Sequence, residues 1–257
     1  MKDFTFETFK MILLSLQSGG YHIMPFLEFI NIKKISSRYV ILRHDVDRFL
    51  MQTLQMARME ADNGIRATYY FRAIPSIFKP DIIKEVVELG HEIGYHYEDL
   101  SICHGNKNKS IEHFKKNLDE LRNYYPVKTI CMHGSPLSKW DNKSIWQHYD
   151  YCEFGITGDT SFDVDYNKLF YITDNGRAWN KTSVSIRDKV ESPFKIPIKN
   201  SFHMIDLIND GNIPREVMIN AHPDTFFDFG MRYLLNWGYI ESKNIVKRFI
   251  VKHGLIK

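Results

Sequence analysis

At 257 residues with 44% hydrophobic composition, the chain can bury one large core and is short enough that a single domain is the default. Lys and Arg total 34 against 31 Asp and Glu, and so small a positive excess excludes nucleic acid as an expected partner. Three cysteines, Cys103, Cys131 and Cys152, are odd in number and form no C-x-x-C pair, which excludes a disulfide framework and a structural zinc knuckle and fits a reducing, cytoplasmic compartment.

The opening segment spaces Phe6, Phe9, Ile12, Leu13 and Leu16 helically and stops at Gly19 and Gly20, a C-terminal helix signal. Its apolar run is too short for a signal-peptide core, and nothing approaches the roughly 20 apolar residues that span a bilayer. Residues 1–38 are read as a helical extension belonging to one domain over 1–257. Strands and helices then alternate: "YVIL" as a buried strand, "LMQTLQMARMEADNG" as a helix closed by Gly64, "ATYYF" as a strand. "DIIKEVVELG" follows as a helix capped by Asp81, and "EIGYH" as a strand. Next come helix "SIEHFKKNLDELRNYY" with Ser110 as N-cap, strand "KTICMH", helix "NKSIWQHY", strand "FYIT", helix "SFHMIDLIND" and strand "VMINAH". Repeated βα units imply an α/β fold with a mainly parallel sheet, and six or more strands in about 200 residues suit a closed or nearly closed barrel better than an open doubly wound sheet.

Parallel α/β folds gather reactive groups at the carboxyl ends of their strands. Five predicted strand ends here carry ionisable residues: Asp45 and Asp47, His96 with Glu98, His133, Asp174 and His222. Asp45 and Asp47 are two apart, so in a strand they share a face, where a cation would relieve their repulsion. A solvated strand-to-helix turn is the plain alternative. Imidazole and carboxylate at His96 and Glu98 are ordinary zinc ligands, whereas alternation turns His91 to the opposite face, a scaffold role. His133 and His222 each stand before a turn containing proline, which fixes an imidazole. "TDNGRAW" offers Asp174, Arg177 and Trp179, a set that suits a sugar ring, or else a turn with Trp179 packed in the core.

In order, "RHDVD", "ELGHEIGYH", "MHGSP", "TDNGRAW" and "INAH" resemble the motifs of the polysaccharide deacetylase family, also called the NodB-homology or carbohydrate esterase family 4 group, over roughly Tyr39 to Phe226. The resemblance implies a distorted (β/α)7-type barrel, a divalent metal, commonly zinc, on one Asp and two His, and hydrolysis of N-acetyl groups from amino sugars. It implies Asp45 as general base and Asp47 as metal ligand, although Val46 separates two aspartates that are adjacent in the family, so the roles could exchange. His96 is implied as a second ligand. The family's next histidine falls four residues later, where this chain has Leu100, leaving His133 or Glu98 as the third. His133 stands where the family has arginine, with Pro136 kept. Asp174 and Trp179 match the fourth motif at longer spacing, Glu98, Asp174, Arg177 and Trp179 are expected to contact substrate, and His222 is the implied leaving-group acid.

The expected activity is metal-dependent removal of an acyl group from a sugar, with a carbohydrate or a nucleotide- or lipid-linked sugar as partner, in surface polysaccharide biosynthesis. One rival is a barrel that binds carbohydrate without hydrolysing it. Another takes Asp45/Asp47 and Asp163/Asp165 as the D-x-D elements of a metal-dependent glycosyltransferase or phosphatase, which leaves the histidine strand ends unexplained.

Overall fold

Strand β2 (Arg38–Val46) is buried along nearly its whole length, as a strand covered on both faces must be, and the sheet is assembled around it. The computed structural model describes residues 2–135, 138–180 and 190–253; Pro136 lies outside them. Helix α1 (Phe6–Ser18), strand β1 (Tyr21–Met24) and helix α2 (Phe26–Asn31) precede β2. After it come α3 (Leu50–Asp62), β3 (Thr68–Phe71), α4 (Pro80–Glu88), β4 (Glu92–Tyr97), α5 (Asp99–Ile102), α6 (Lys107–Arg122), β5 (Thr129–Met132), β6 (Gly158–Asp159), β7 (Phe170–Thr173), α7 (Ser201–Asn209), β8 (Glu216–Asn220) and α8 (Met231–His253).

The sheet path is β6-β5-β4-β3-β2-β8-β7, seven strands, with β1 added beside the first half of β2. Every pairing is parallel, so all carboxyl ends face one rim. Among the described residues no ladder joins β6 to β7, which leaves a (β/α)7-type barrel open at one seam. None of the described helices is long and apolar enough to cross a membrane.

Alternation along the strands separates two cores. Val40, Leu42 and Val46 of β2 pack outward with Phe9, Ile12, Leu13, Tyr69 and Phe71 beneath the helices. Tyr39 and Ile41 point inward with Tyr70, Cys131, Tyr171 and Met218. Arg43 and Asp45 continue the inward series towards the rim. The outward His44 is tied to α3 by Glu60 at 2.8 Å, and Glu60 also accepts the Tyr69 hydroxyl at 2.7 Å.

Local differences from the sequence reading have local causes. Helix α6 starts at Lys107, three residues before the expected Ser110 start, because the Asn106 side chain accepts from Lys109 N and satisfies an orphan amide of the first turn. Helix α4 begins with Pro80 at its first turn, ahead of Asp81, as suits a residue with no amide hydrogen. Asn142–Gln147 is a 3-10 helix. Strands β1 and β6 and the terminal helix α8 carry no marked pattern in the sequence.

Candidate active site

Asp45 ends the inward series of β2, Asp47 follows one residue beyond the strand, His96 is the inward residue before the end of β4, and His133 comes directly after β5. β3 pairs with both β2 and β4, and β4 with β5, so these side chains converge on the rim. His96 Nε2 and His133 Nε2 each lie 3.6 Å from Asp47 Oδ1. Ligand atoms of Asp47, His96 and His133 all fall within 4.8 Å of one another.

The remaining nitrogens of both imidazoles are anchored. His96 Nδ1 bonds the Cys131 carbonyl oxygen at 3.0 Å, and His133 Nδ1 meets Glu98 Oε2 at 2.9 Å. Glu98 is clamped in turn by Arg72, whose Nε and Nη2 donate at 2.6 and 2.8 Å. Such outer bonds fix tautomer and ring orientation, leaving Nε2 with its lone pair towards Asp47. Burial would lift the Glu98 carboxyl, but its bonds to His133 and Arg72 hold it at about 2. Glu98 is thereby spent on orienting His133.

Asp47 Oδ1 supplies the test of fit for a cation, because it is buried without a hydrogen-bond partner. Two imidazole lone pairs and a carboxylate oxygen facing one point are a normal zinc set, and ligands about 2.0–2.1 Å from a tetrahedral ion stand about 3.4 Å apart. The three residues fit the ion. A second grouping, Asp45, His96 and Cys131, is also close together, but Asp45 already takes Arg43 Nη1 at 3.0 Å and Asn220 Nδ2 at 2.9 Å. Burial also pushes the Cys131 thiol well up, which opposes the thiolate that a metal needs. The first set is the better one.

Asp45 is beside this set, its Oδ2 4.0 Å from His96 Nε2 and 3.7 Å from His222 Nε2. Burial opposes its ionisation, yet Arg43, His96 and His222 hold the carboxyl well below the usual range. His222 follows β8 and is gripped by Asp174, which follows β7: Nδ1 meets Oδ1 at 2.5 Å and the His222 amide donates to Oδ2 at 3.1 Å. Burial would lower the His222 imidazolium pKa, but Asp174, with Asp45 and Asp47 beyond, pushes it well above 6.5. His96 goes the other way, since burial outweighs its carboxylate neighbours and lowers its pKa. At neutral pH one rim histidine is thus held charged and another neutral.

The structure brings together Asp45, Asp47, His96, Glu98, His133, Asp174 and His222. Two expected substrate contacts, Arg177 and Trp179, are elsewhere. Trp179 is 4% exposed, stacks on Phe4 with centroids 5.4 Å apart and donates its indole N–H to Ser201 Oγ, so it is a core residue. The Arg177 guanidinium lies 4.2 Å from the Tyr233 ring centroid and reaches Asp3 O, joining the N-terminal segment to α8. Glu98 and Asp174, also expected to contact substrate, are both buried and bonded to histidines. His91 lies on the outward face and bonds the Ala57 carbonyl oxygen. Asp163 and Asp165 are taken up locally, by Tyr151 and Asp159 N and by Lys168 and Asn167 N.

Arg43, Arg72 and Asn220 go unnoticed in the sequence reading. Each has a signal in hindsight, because Arg43 and Asn220 stand two residues before Asp45 and His222, and Arg72 is two residues after the inward Tyr70, all on the inward register.

No family model and no curated protein matches this chain. Among solved structures, a family 4 carbohydrate esterase from Streptomyces lividans in complex with acetate is similar at 13% identity and TM-score 0.45, covering 84% of this chain and 91% of that one. A Streptococcus mutans CE4 esterase is similar at 13% identity and TM-score 0.45, covering 92% and 90%. A CE4 family pseudoenzyme from Bacillus anthracis is similar at 9% identity and TM-score 0.45, covering 82% of this chain and 62% of that one. What the rim can do follows from its own side chains.

Proposed function

We propose that the chain is a metal-dependent hydrolase that removes an N-acyl group, acetyl or similar, from a sugar. The observation that carries this reading is Asp47 Oδ1, buried without a hydrogen bond and faced by two imidazole nitrogens at 3.6 Å, beside an acid–base pair at Asp45 and His222. The motif resemblance to polysaccharide deacetylases supports it. Zinc is the ion we assign to Asp47, His96 and His133, from the donor set.

When bound, such an ion supplies Lewis acidity, polarising the acyl oxygen and easing deprotonation of water. Asp45, ionised and fixed by Arg43 and Asn220, accepts the water proton as the carbon–oxygen bond forms. His222, held as imidazolium by Asp174, delivers the Nε2 proton to the departing nitrogen as the carbon–nitrogen bond breaks, because an unprotonated amine is a very poor leaving group. The products are a carboxylic acid and a free amino sugar.

We further assign a cytoplasmic setting and a nucleotide- or lipid-linked precursor of a surface polysaccharide as substrate. Three cysteines stand free, which fits a reducing compartment. The experiment is to load the purified protein with zinc and measure free amine and carboxylic acid from a panel of N-acetyl and N-formyl sugars. Release that chelator stops and zinc restores is expected, with loss in Asp45→Asn and His222→Ala. A protein holding one zinc per chain that releases neither product from any member overturns the reading.

A further inference from the structure

We infer that the outward face of α8 docks on an anionic lipid surface and brings the rim to it, so that the lipid-linked saccharide is the substrate of the two carriers named above; the choice of substrate rests on the hydrolase reading. Tyr233, Asn236, Ile240 and Asn244, spaced as one helical face, are buried. The opposite face, Met231, Leu234, Leu235, Gly238, Ser242 and Ile245, stands in water. Leu235 is 66% and Ile245 65% exposed, and Trp237 and Tyr239 flank the face half-exposed.

A helix that is apolar on both faces is ordinarily covered on both. The inner face of α8 is held by the protein: the Tyr233 hydroxyl donates to Asp3 O at 2.9 Å and Asn244 Nδ2 to Gly176 O at 3.0 Å. Its outer face carries the larger apolar side chains and keeps them in water, which marks an interaction surface.

Charge selects the occupant. The sequence of α8 holds five Lys or Arg and one Glu, so the chain outside this helix is net −1 against +3 for the whole. An apolar helix face bounded by basic residues is the pattern of a helix lying in the plane of an anionic bilayer surface, and Trp and Tyr favour the depth of the lipid headgroups. A second copy is the poorer occupant, because a two-fold contact sets the basic helix against itself. α8 is not apolar enough to cross a membrane, so it lies on one rather than spanning it.

Direct contacts join this face to the rim. Arg48, the residue after Asp47, has its guanidinium 4.7 Å from the ring centroids of both Tyr239 and Phe49, and its Nε donates to Asp224 Oδ2 at 2.9 Å. Asp224 stands two residues after His222, and its carbonyl oxygen accepts Asn236 Nδ2 at 3.2 Å. Phe49 is itself exposed, so the apolar surface runs from α8 to the residues next to Asp47. A sugar carried on a lipid anchor meets the rim there without its anchor leaving the bilayer.

The test is co-sedimentation of the full chain with vesicles of phosphatidylcholine, alone or with about 30 mol% phosphatidylglycerol, at low and high salt. The expected result is binding about tenfold stronger to the anionic vesicles, weakened by salt, and cut about tenfold by Leu235→Glu while circular dichroism and Tm are unchanged. No binding to either vesicle, or anionic binding that Leu235→Glu leaves intact, overturns the inference. So does a dimer in light scattering that Leu235→Glu dissociates, in a protein that stays off vesicles. Failure of the two readings is distinguishable. Vesicle binding by a protein that releases amine from no sugar refutes hydrolysis alone, and amine release from soluble sugars by a protein that stays off vesicles refutes docking alone. A vesicle-bound protein that releases amine from nucleotide-linked but not from lipid-linked sugars refutes the choice of substrate.

Discussion

One carboxylate, Asp174, takes two bonds from His222, one from the ring and one from the backbone, and this decides the charge on the proposed acid. Because Asp174, with Asp45 and Asp47 beyond, outweighs burial and raises the imidazolium pKa well above 6.5, the proton is present below that raised value and is lost as pH rises through it. The alkaline limb of a kcat/KM profile should therefore lie above pH 6.5. Asp174→Asn removes the nearest counterweight to burial and leaves only Asp45 and Asp47 to oppose it, so the limb should move to lower pH, with kcat reduced about 10²–10⁴-fold. A limb that stays in place in Asp174→Asn means that His222 is not the group being titrated. Glu98 has a different part, orienting the His133 ring through a carboxylate–imidazole bond. At this scale the ionisable strand ends are readable from sequence, because each follows an apolar run. The histidine-orienting bonds of Glu98 and Asp174 are not, because a buried Asp174 and a cleft-facing one look the same in one dimension.

At the scale of the strand, Gly94 shows what positions the rim. It is an inward residue of β4, and a Cβ there would meet the Tyr70 ring at 2.3 Å and Thr129 O at 3.1 Å. The glycine lets Tyr70 cross the barrel interior beneath His96, so the requirement is close approach rather than backbone conformation. Gly94→Ala should destabilise by about 1–3 kcal/mol through overpacking, seen as a fall in Tm of about 2–4 °C per kcal/mol. An unchanged Tm would mean that Tyr70 has room to turn aside. Deeper in the barrel Glu92, whose carboxyl is raised by burial, accepts from Thr68 Oγ1, Thr129 Oγ1 and Leu27 N, bridging β3, β4, β5 and α2. Most elements are visible in sequence, since apolar periodicity and glycine stops mark them. The two-residue β6 and the four-residue β1 are not, because their pairing depends on neighbours distant in the chain.

For the molecule as a whole, the three proposed ligands come from the ends of β2, β4 and β5, so an ion there cross-links half the sheet path. Binding only the folded state, zinc at a hundredfold excess over its Kd should stabilise the protein by about 2.7 kcal/mol. A thermal-shift titration should show a rise in Tm, with one ion per chain by elemental analysis, and His133→Ala should lose most of it. Equal stabilisation of wild type and His133→Ala would place the third ligand elsewhere. Leu100, buried at 3% exposure, stands where the resembled family has a histidine, and in the proposed reading His133 after the neighbouring strand takes that place.

The sequence alone determined that strands alternate with helices, that the sheet is parallel, and that acidic and imidazole groups stand at its carboxyl ends. These properties follow from local periodicity and from the rule that parallel strands end together. Only the tertiary structure decided that His133 joins Asp47 and His96 while Glu98 turns to Arg72, that Trp179 belongs to the core, and that Arg177 holds α8. Those outcomes depend on distances between side chains remote in sequence and on burial, which changes the charge a group can carry. Neither quantity exists until the strands are side by side.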